Sequence, residues 1–73
     1  MNKPTLLQLR EKYGINIIVL ANVAEVKTEI VYAMLVGMPV ERWQAEKVLQ
    51  GFNKLTGVEY NLGDIQVVIE KQL

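Results

Sequence analysis

Apolar residues in the first part of the chain recur at the three- and four-residue spacing of an α-helix, and glycines separate the segments that show it. Thr5 is a residue type favoured at helix N-termini, and Gly14 suits a left-handed C-terminus, so we predict a first helix between them. Its apolar stripe consists of Leu6, Leu7, Leu9 and Tyr13.

Two further short helices follow the first. Asn16 is another N-cap residue type, and the run 17–24 after it has the spacing of a buried helical face. Residues 25–27 predict a short break, after which a third helix continues to Gly37. The positions expected to be buried are Leu20, Ala21 and Ala24 in the second helix and Val31, Met34 and Leu35 in the third.

The fourth segment has the clearest amphipathic pattern. Pro39 fits the start of this helix and Gly57 its end. Gly51 inside it predicts close packing against a neighbouring helix. Trp43 lies off the main stripe, so it is either a residue at the rim of the core, which is the favoured interpretation, or an exposed anchor. The inward residues are Ala45, Val48, Leu49, Phe52 and Leu55.

The pattern changes after Gly57, where residues 58–60 and 66–70 are β-prone and 61–64 predict a turn. We expect a two-stranded ribbon or an extended tail over 58–73. The apolar residues Val67, Val68 and Ile69 would form an exposed strand edge, and we predict that they pair across a two-fold axis in a homodimer. Packing of the tail against the chain's own first helix is the alternative.

Two short helices joined by a three-residue break, inside a bundle of four, have the layout of a helix-turn-helix. Residues 16–37 resemble the Cro/repressor (Xre-like) family of DNA-binding proteins without a gap, and the resemblance extends over about residues 5–57. It implies an all-α fold, a small four-helix bundle with a helix-turn-helix core. The matching positions are Leu20, Ala21, Ala24, Val26, Val31, Met34 and Gly37.

The resemblance implies a sequence-specific transcriptional regulator that binds double-stranded DNA, with residues 28–36 as the recognition helix in the major groove. A dimer would contact two half-sites about 34 Å apart. Thr28 could contact a thymine methyl group, Glu29 could accept from a cytosine amino group, and Tyr32 could bond to a phosphate. The DNA-contacting residues implied are Asn16, Lys27, Thr28, Glu29, Tyr32 and Ala33.

The chain departs from the family pattern in ways that support a second interpretation. Glu25 replaces the turn glycine, which implies either a distorted turn or a strained left-handed residue. Ile17, Ile18, Val19 and Val23 are apolar where polar residues are common, and Glu29 is the only charged residue in 28–40. An exposed apolar surface on the second helix would mark a protein-binding module, either self-associating or antitoxin-like, with weak or lost DNA binding.

The composition of the chain limits the number of domains and the classes of function that it can have. The chain of 73 residues, which is 51% hydrophobic, fits one folded domain spanning 1–73. With no Cys, His or Ser, the common nucleophiles, bases and metal ligands are missing, so we expect neither an enzyme nor a metal or cofactor. Eight basic residues balance eight acidic ones, and the bases cluster weakly at Lys3, Arg10, Lys12 and Lys27.

The sequence has no apolar run long enough to cross a membrane and no secretory signal at its start, which predicts a cytoplasmic protein without a membrane partner.

Overall fold

A computed structural model of the chain describes residues 2–71, and it confirms a small all-α fold. The last two residues of the predicted tail, 72 and 73, lie outside the described residues. The helices are α1 (Leu6–Tyr13), α2 (Ile17–Ala24), α3 (Thr28–Leu35) and α4 (Arg42–Thr56), followed by a single 3₁₀ turn at Leu62–Asp64.

Local sequence signals set the ends of the first two helices. The Thr5 side chain accepts a hydrogen bond from the Gln8 backbone N–H, and the Gln8 side chain accepts one from the Thr5 N–H, so the two residues form a capping box. Gly14 ends α1 with φ of 65°. Asn16 caps α2 by accepting from the backbone N–H groups of Ile18 and Val19.

The core lies between α4 and the three shorter helices. Phe52 is fully buried at its centre, and the Tyr13 ring meets it edge-on with centroids 5.6 Å apart. The core-facing positions predicted for α2 are confirmed, as are Val31 and Met34 of α3, while Leu35 is half-buried. The buried residues of these helices are Leu20, Ala21, Ala24, Val31, Met34, Ala45, Val48, Leu49, Gly51 and Phe52.

The prediction that Gly51 permits close packing is confirmed. A Cβ atom placed on Gly51 would lie 2.9 Å from the Cβ and the backbone N of Ala24 and 3.0 Å from its Cα. Helices α2 and α4 therefore cross nearly backbone to backbone at this point, which fixes the position of α2 on the core.

The C-terminal segment lies along the domain's own chain. The Gln66 N–H donates to the Pro4 carbonyl over 2.8 Å. Val40 bonds the tail twice, donating to the Val68 carbonyl over 3.1 Å and accepting from the Glu70 N–H over 2.8 Å. These contacts form two isolated parallel bridges, and residues 2–71 contain no two-stranded ribbon. Pairing of the tail across a two-fold axis stays a prediction.

Two expectations for α4 were wrong in detail. Leu55, predicted to face inward, is 37% exposed, and for Trp43, which is 53% exposed, the exposed alternative is the one observed. Pro39 does not open the helix; Glu41 is its N-cap and forms a capping box with Gln44. Among the described residues, no helix is long and apolar enough to span a membrane.

Candidate nucleic-acid interface

Helices α2 and α3 are joined by a turn at residues 25–27, and Glu25 sets its geometry. Glu25 has φ of 59°, the only positive value at a non-glycine residue among those described. The Glu25 N–H donates to the Asn22 carbonyl, and the Val26 N–H donates to the Ala21 carbonyl. These two bonds end α2 in a left-handed cap. Of the two alternatives for this turn, the left-handed Glu25 is therefore the one observed, at a conformational cost of about 1 kcal/mol.

The outward surface of α3 and its C-cap consists of four exposed residues at helical spacing, Thr28, Glu29, Tyr32 and the C-cap Val36. Tyr32 is 56% exposed and Val36 is 52% exposed. Ala33, which the resemblance also placed in the groove, is half-buried and packs against the core. The structure thus brings Thr28, Glu29 and Tyr32 together on one face, with Val36 extending it by one turn.

The N-terminal end of α3 is open to a ligand. Lys27 is the N-cap residue, its side chain is exposed, and no side chain caps the first turn. A helix N-terminus carries a partial positive charge, so Lys27 adds a full charge at the place where an anion is already favoured. Glu29 in the same turn opposes that attraction.

A second candidate contact lies at the start of α2. Arg10 donates from Nε to the Ile15 carbonyl over 3.0 Å, which holds its guanidinium beside the N-terminus of α2. Together with Glu11, Gly14 and Asn16, these residues line a shallow surface depression. The Asn16 Oδ1 is occupied by two backbone N–H groups, so its amide nitrogen is the part of the side chain that remains to donate to a phosphate.

The role of Arg10 was only partly visible in the sequence. The sequence grouped it with Lys3, Lys12 and Lys27 as a weak cluster of bases, and the structure places it next to Asn16 through the bond to Ile15. No helical spacing relates residues 10 and 16, because Gly14 separates the helices that carry them. The exposure of Val36 could have been found from the sequence, because Thr28, Tyr32 and Val36 follow one another at intervals of four residues.

The apolar surface expected on α2 is narrower than its sequence suggested. Ile18 is 59% exposed and Val19 is 46% exposed, whereas Ile17 is half-buried and packs against the core. Val23 is also half-buried. Two adjacent branched side chains at the start of α2 therefore form the exposed apolar part of this helix.

Other polar groups have structural partners. Trp43 donates from its indole N–H to the Glu41 carboxylate, and the Lys47 ammonium lies 5.9 Å from its ring centroid. The hydroxyls of Tyr13 and Tyr60 lie 3.5 Å apart, and this contact, with partial burial, raises the pKa of Tyr60. Within residues 2–71, no three side chains of metal-ligating type come together.

Comparison with protein-family models, curated proteins and solved structures finds no match to this chain.

Proposed function

We propose that this protein is a divergent member of the Cro/repressor helix-turn-helix family, a cytoplasmic transcriptional regulator that binds double-stranded DNA with sequence specificity through α3. One observation carries the proposal: Thr28, Glu29 and Tyr32 share a solvent-exposed face that begins at the uncapped, Lys27-bearing N-terminus of the helix. Short and aromatic polar side chains at the start of an exposed helix are the groups that reach base edges and phosphates.

The dimensions suit a major groove. An α-helix with its side chains is about 10–12 Å in diameter, and the major groove is about 12 Å wide. Asn16 and Arg10, at the start of the preceding helix, would meet the phosphate backbone while α3 reads the bases. Phosphate contacts then fix the orientation of α3, and its three polar side chains supply the specificity.

The few available cations predict a shallow salt dependence. Lys27 and Arg10, with Lys3 and Lys12 as further candidates, would neutralise two to four phosphates. The logarithm of the binding constant should then fall with the logarithm of salt concentration with a slope of about −2 to −4. Non-specific binding will be weak for the same reason.

The first experiment is titration of the purified protein with mixed DNA duplexes at several salt concentrations, followed by selection of a preferred sequence from a random library. Thr28→Ala and Tyr32→Ala should each weaken binding to the selected sequence by about 1–3 kcal/mol. Both side chains are exposed, so neither substitution should change the melting temperature appreciably.

Asn16 offers a matched pair of variants that separates folding from binding. Asn16→Asp keeps the capping oxygen and adds a negative charge at a helix N-terminus, so stability should be retained or rise. The same change removes the amide donor and repels phosphate, so DNA affinity should fall. Asn16→Ala should lose about 1 kcal/mol of stability with the cap. Unchanged DNA affinity in Asn16→Asp would show that the start of α2 does not contact DNA.

A protein-binding module is the second candidate, and the exposure of Ile18 and Val19 favours it. Ile18→Lys distinguishes the two functions, because a cation beside Asn16 should raise DNA affinity and steepen the salt slope by about 0.9 if α2 faces phosphate. If the wild-type chain binds no duplex at low salt and Ile18→Lys does not create binding, the result favours protein binding through the apolar start of α2.

A further inference from the structure

We propose that Tyr13 and Tyr60 form a site of oxidative modification, at which a one-electron oxidant joins the two rings in an intramolecular dityrosine. Neither residue belongs to the candidate nucleic-acid interface. The inference goes beyond DNA binding, because it rests on the contact between these two side chains.

The two phenol groups contact each other through their hydroxyls. The hydroxyl oxygens lie 3.5 Å apart, although the residues are 47 positions apart in the sequence. Each ring carbon ortho to a hydroxyl is close to that oxygen, so the ortho carbons of both rings lie around this contact. These carbons carry much of the unpaired electron of a tyrosyl radical, and they form the bond of a dityrosine.

Helix α4 holds both rings in place through two adjacent residues. The fully buried Phe52 ring has its centroid 5.6 Å from that of Tyr13, edge-on, and 6.3 Å from that of Tyr60. The Asn53 side chain bonds the Tyr60 backbone twice, donating to its carbonyl over 2.9 Å and accepting from its N–H over 3.1 Å. The folded chain therefore brings the two reacting rings together before any oxidation.

The surroundings of the pair favour coupling within one molecule. Both tyrosines are half-buried, so their hydroxyls can release protons to water while their packed rings are shielded from a second protein molecule. Two groups held in contact react faster than the same groups on separate molecules at micromolar concentration. The chain has no Cys, so no thiol competes for the oxidant.

The reaction removes two electrons and two protons from the pair. Each tyrosine gives one electron to the oxidant and its phenolic proton to water, which leaves two neutral phenoxyl radicals. The radicals join through one new carbon–carbon bond between ortho positions. Each of these carbons then releases its hydrogen as a proton while the oxygen of the same ring takes one up, which restores both aromatic phenols.

Photo-oxidation of the purified protein tests the site directly. Protein at low micromolar concentration is illuminated briefly with a ruthenium tris-bipyridyl complex and persulfate, which takes up the two electrons and becomes two sulfate ions. The monomeric product should show the fluorescence of dityrosine and have a mass lower than that of the untreated chain by two hydrogen atoms. After trypsin digestion, mass spectrometry should find the peptide of Tyr13 joined to that of Tyr60.

Tyr32, the third tyrosine of the chain, provides the matched control. It is 56% exposed on α3, so it can couple with a tyrosine of another molecule. Trypsin places the three tyrosines in separate peptides, 13–27, 28–42 and 55–71, so each possible link has its own mass. Tyr13→Phe and Tyr60→Phe should each lower the yield of dityrosine in the monomer at least tenfold, whereas Tyr32→Phe should leave it unchanged.

All three substitutions remove only a hydroxyl, and circular dichroism before oxidation checks that each variant folds. A link between peptides 13–27 and 55–71 that forms in the monomer and requires both hydroxyls supports the site. Monomer dityrosine that persists in Tyr13→Phe or in Tyr60→Phe, dityrosine found only in dimers, or no dityrosine at all overturns it.

The cross-link should also stabilise the fold, because it joins residues 47 positions apart and so restricts the unfolded chain, as a disulfide does. The melting temperature of the cross-linked monomer should rise by roughly 10–20 °C. Tyr13→Phe oxidised in the same way is the control for other oxidation, including that of the exposed Trp43. A cross-linked monomer that melts no higher than this control overturns the proposal; no DNA enters either test, so the outcome is separate from that of the proposed function.

Discussion

The contact between Gly51 and Ala24 allows a sharp test of the packing of α2 on α4. In Gly51→Ala, the new methyl carbon would lie 2.9 Å from the Cβ and the N of Ala24 and 3.0 Å from its Cα. Carbon atoms in favourable contact are about 3.5–4.0 Å apart, so the two helices must separate by several tenths of an ångström or more. Two of the three clashing atoms are backbone, which no rotamer change can move.

Two opposing effects determine how far Gly51→Ala changes the stability of the domain. Replacing a mid-helix glycine by alanine stabilises a helix by about 1 kcal/mol. Overpacking a well-filled core costs about 1–3 kcal/mol, and contact with backbone places this case in the upper part of that range. The net expectation is a loss of about 1–2 kcal/mol, which lowers the melting temperature of a domain of this size by roughly 5–15 °C.

Thermal and urea unfolding, followed by the circular dichroism signal of the helices, would measure this loss of stability. Gly63→Ala is the matched control, because no atom lies within 4 Å of a Cβ at Gly63 and no positive φ is required there. It should be neutral or stabilising. Ala24→Gly should not rescue Gly51→Ala, since the contacts to the backbone of residue 24 would persist. A Gly51→Ala variant as stable as the wild type would show that the helices are not in backbone contact.

Three further outcomes follow from the structure. Glu25→Gly should stabilise the domain by about 0.5–1 kcal/mol in urea unfolding, because it removes the left-handed strain at an exposed residue; a loss of stability would show that the turn is unstrained. The raised pKa of Tyr60 favours its neutral form in the folded state, so its stabilising contribution should be complete below about pH 10 and be lost as the pH rises through the raised pKa. Tyr60→Phe should remove that alkaline dependence, and an unchanged pH profile would contradict it. Thr5→Ala should cost about 1 kcal/mol through loss of the α1 cap, measured against Thr5→Ser as a control that retains the hydroxyl.

Much of the helical architecture was predictable because its signals are local. Thr5, Gly14 and Asn16 mark helix ends through bonds to residues within four or five positions. The three- and four-residue spacing identified the core positions of α2 and most of those of α3, since a helix presents such residues on one side whatever it packs against.

The candidate interface was predictable only in part. Lys27, Thr28, Glu29 and Tyr32 share an exposed surface, as their spacing indicates. Ala33 is half-buried instead, because α3 is rotated so that this side of the helix meets the core. The sequence left Trp43 either at the core rim or exposed, and its exposure was decided by the packing of elements distant in sequence.

The sequence by itself determined the number of helices, where the first two begin and end, the turn at Glu25 and the residues that form most of the core, because caps, glycines and apolar periodicity act over a few residues. The tertiary structure decided which edges and side chains remain free. It brings Arg10 beside Asn16, sets Gly51 against Ala24, and bonds the tail to Pro4 and Val40. The contacts of Gly51 and of the tail join segments that are far apart along the chain, so no local pattern identifies their partner residues.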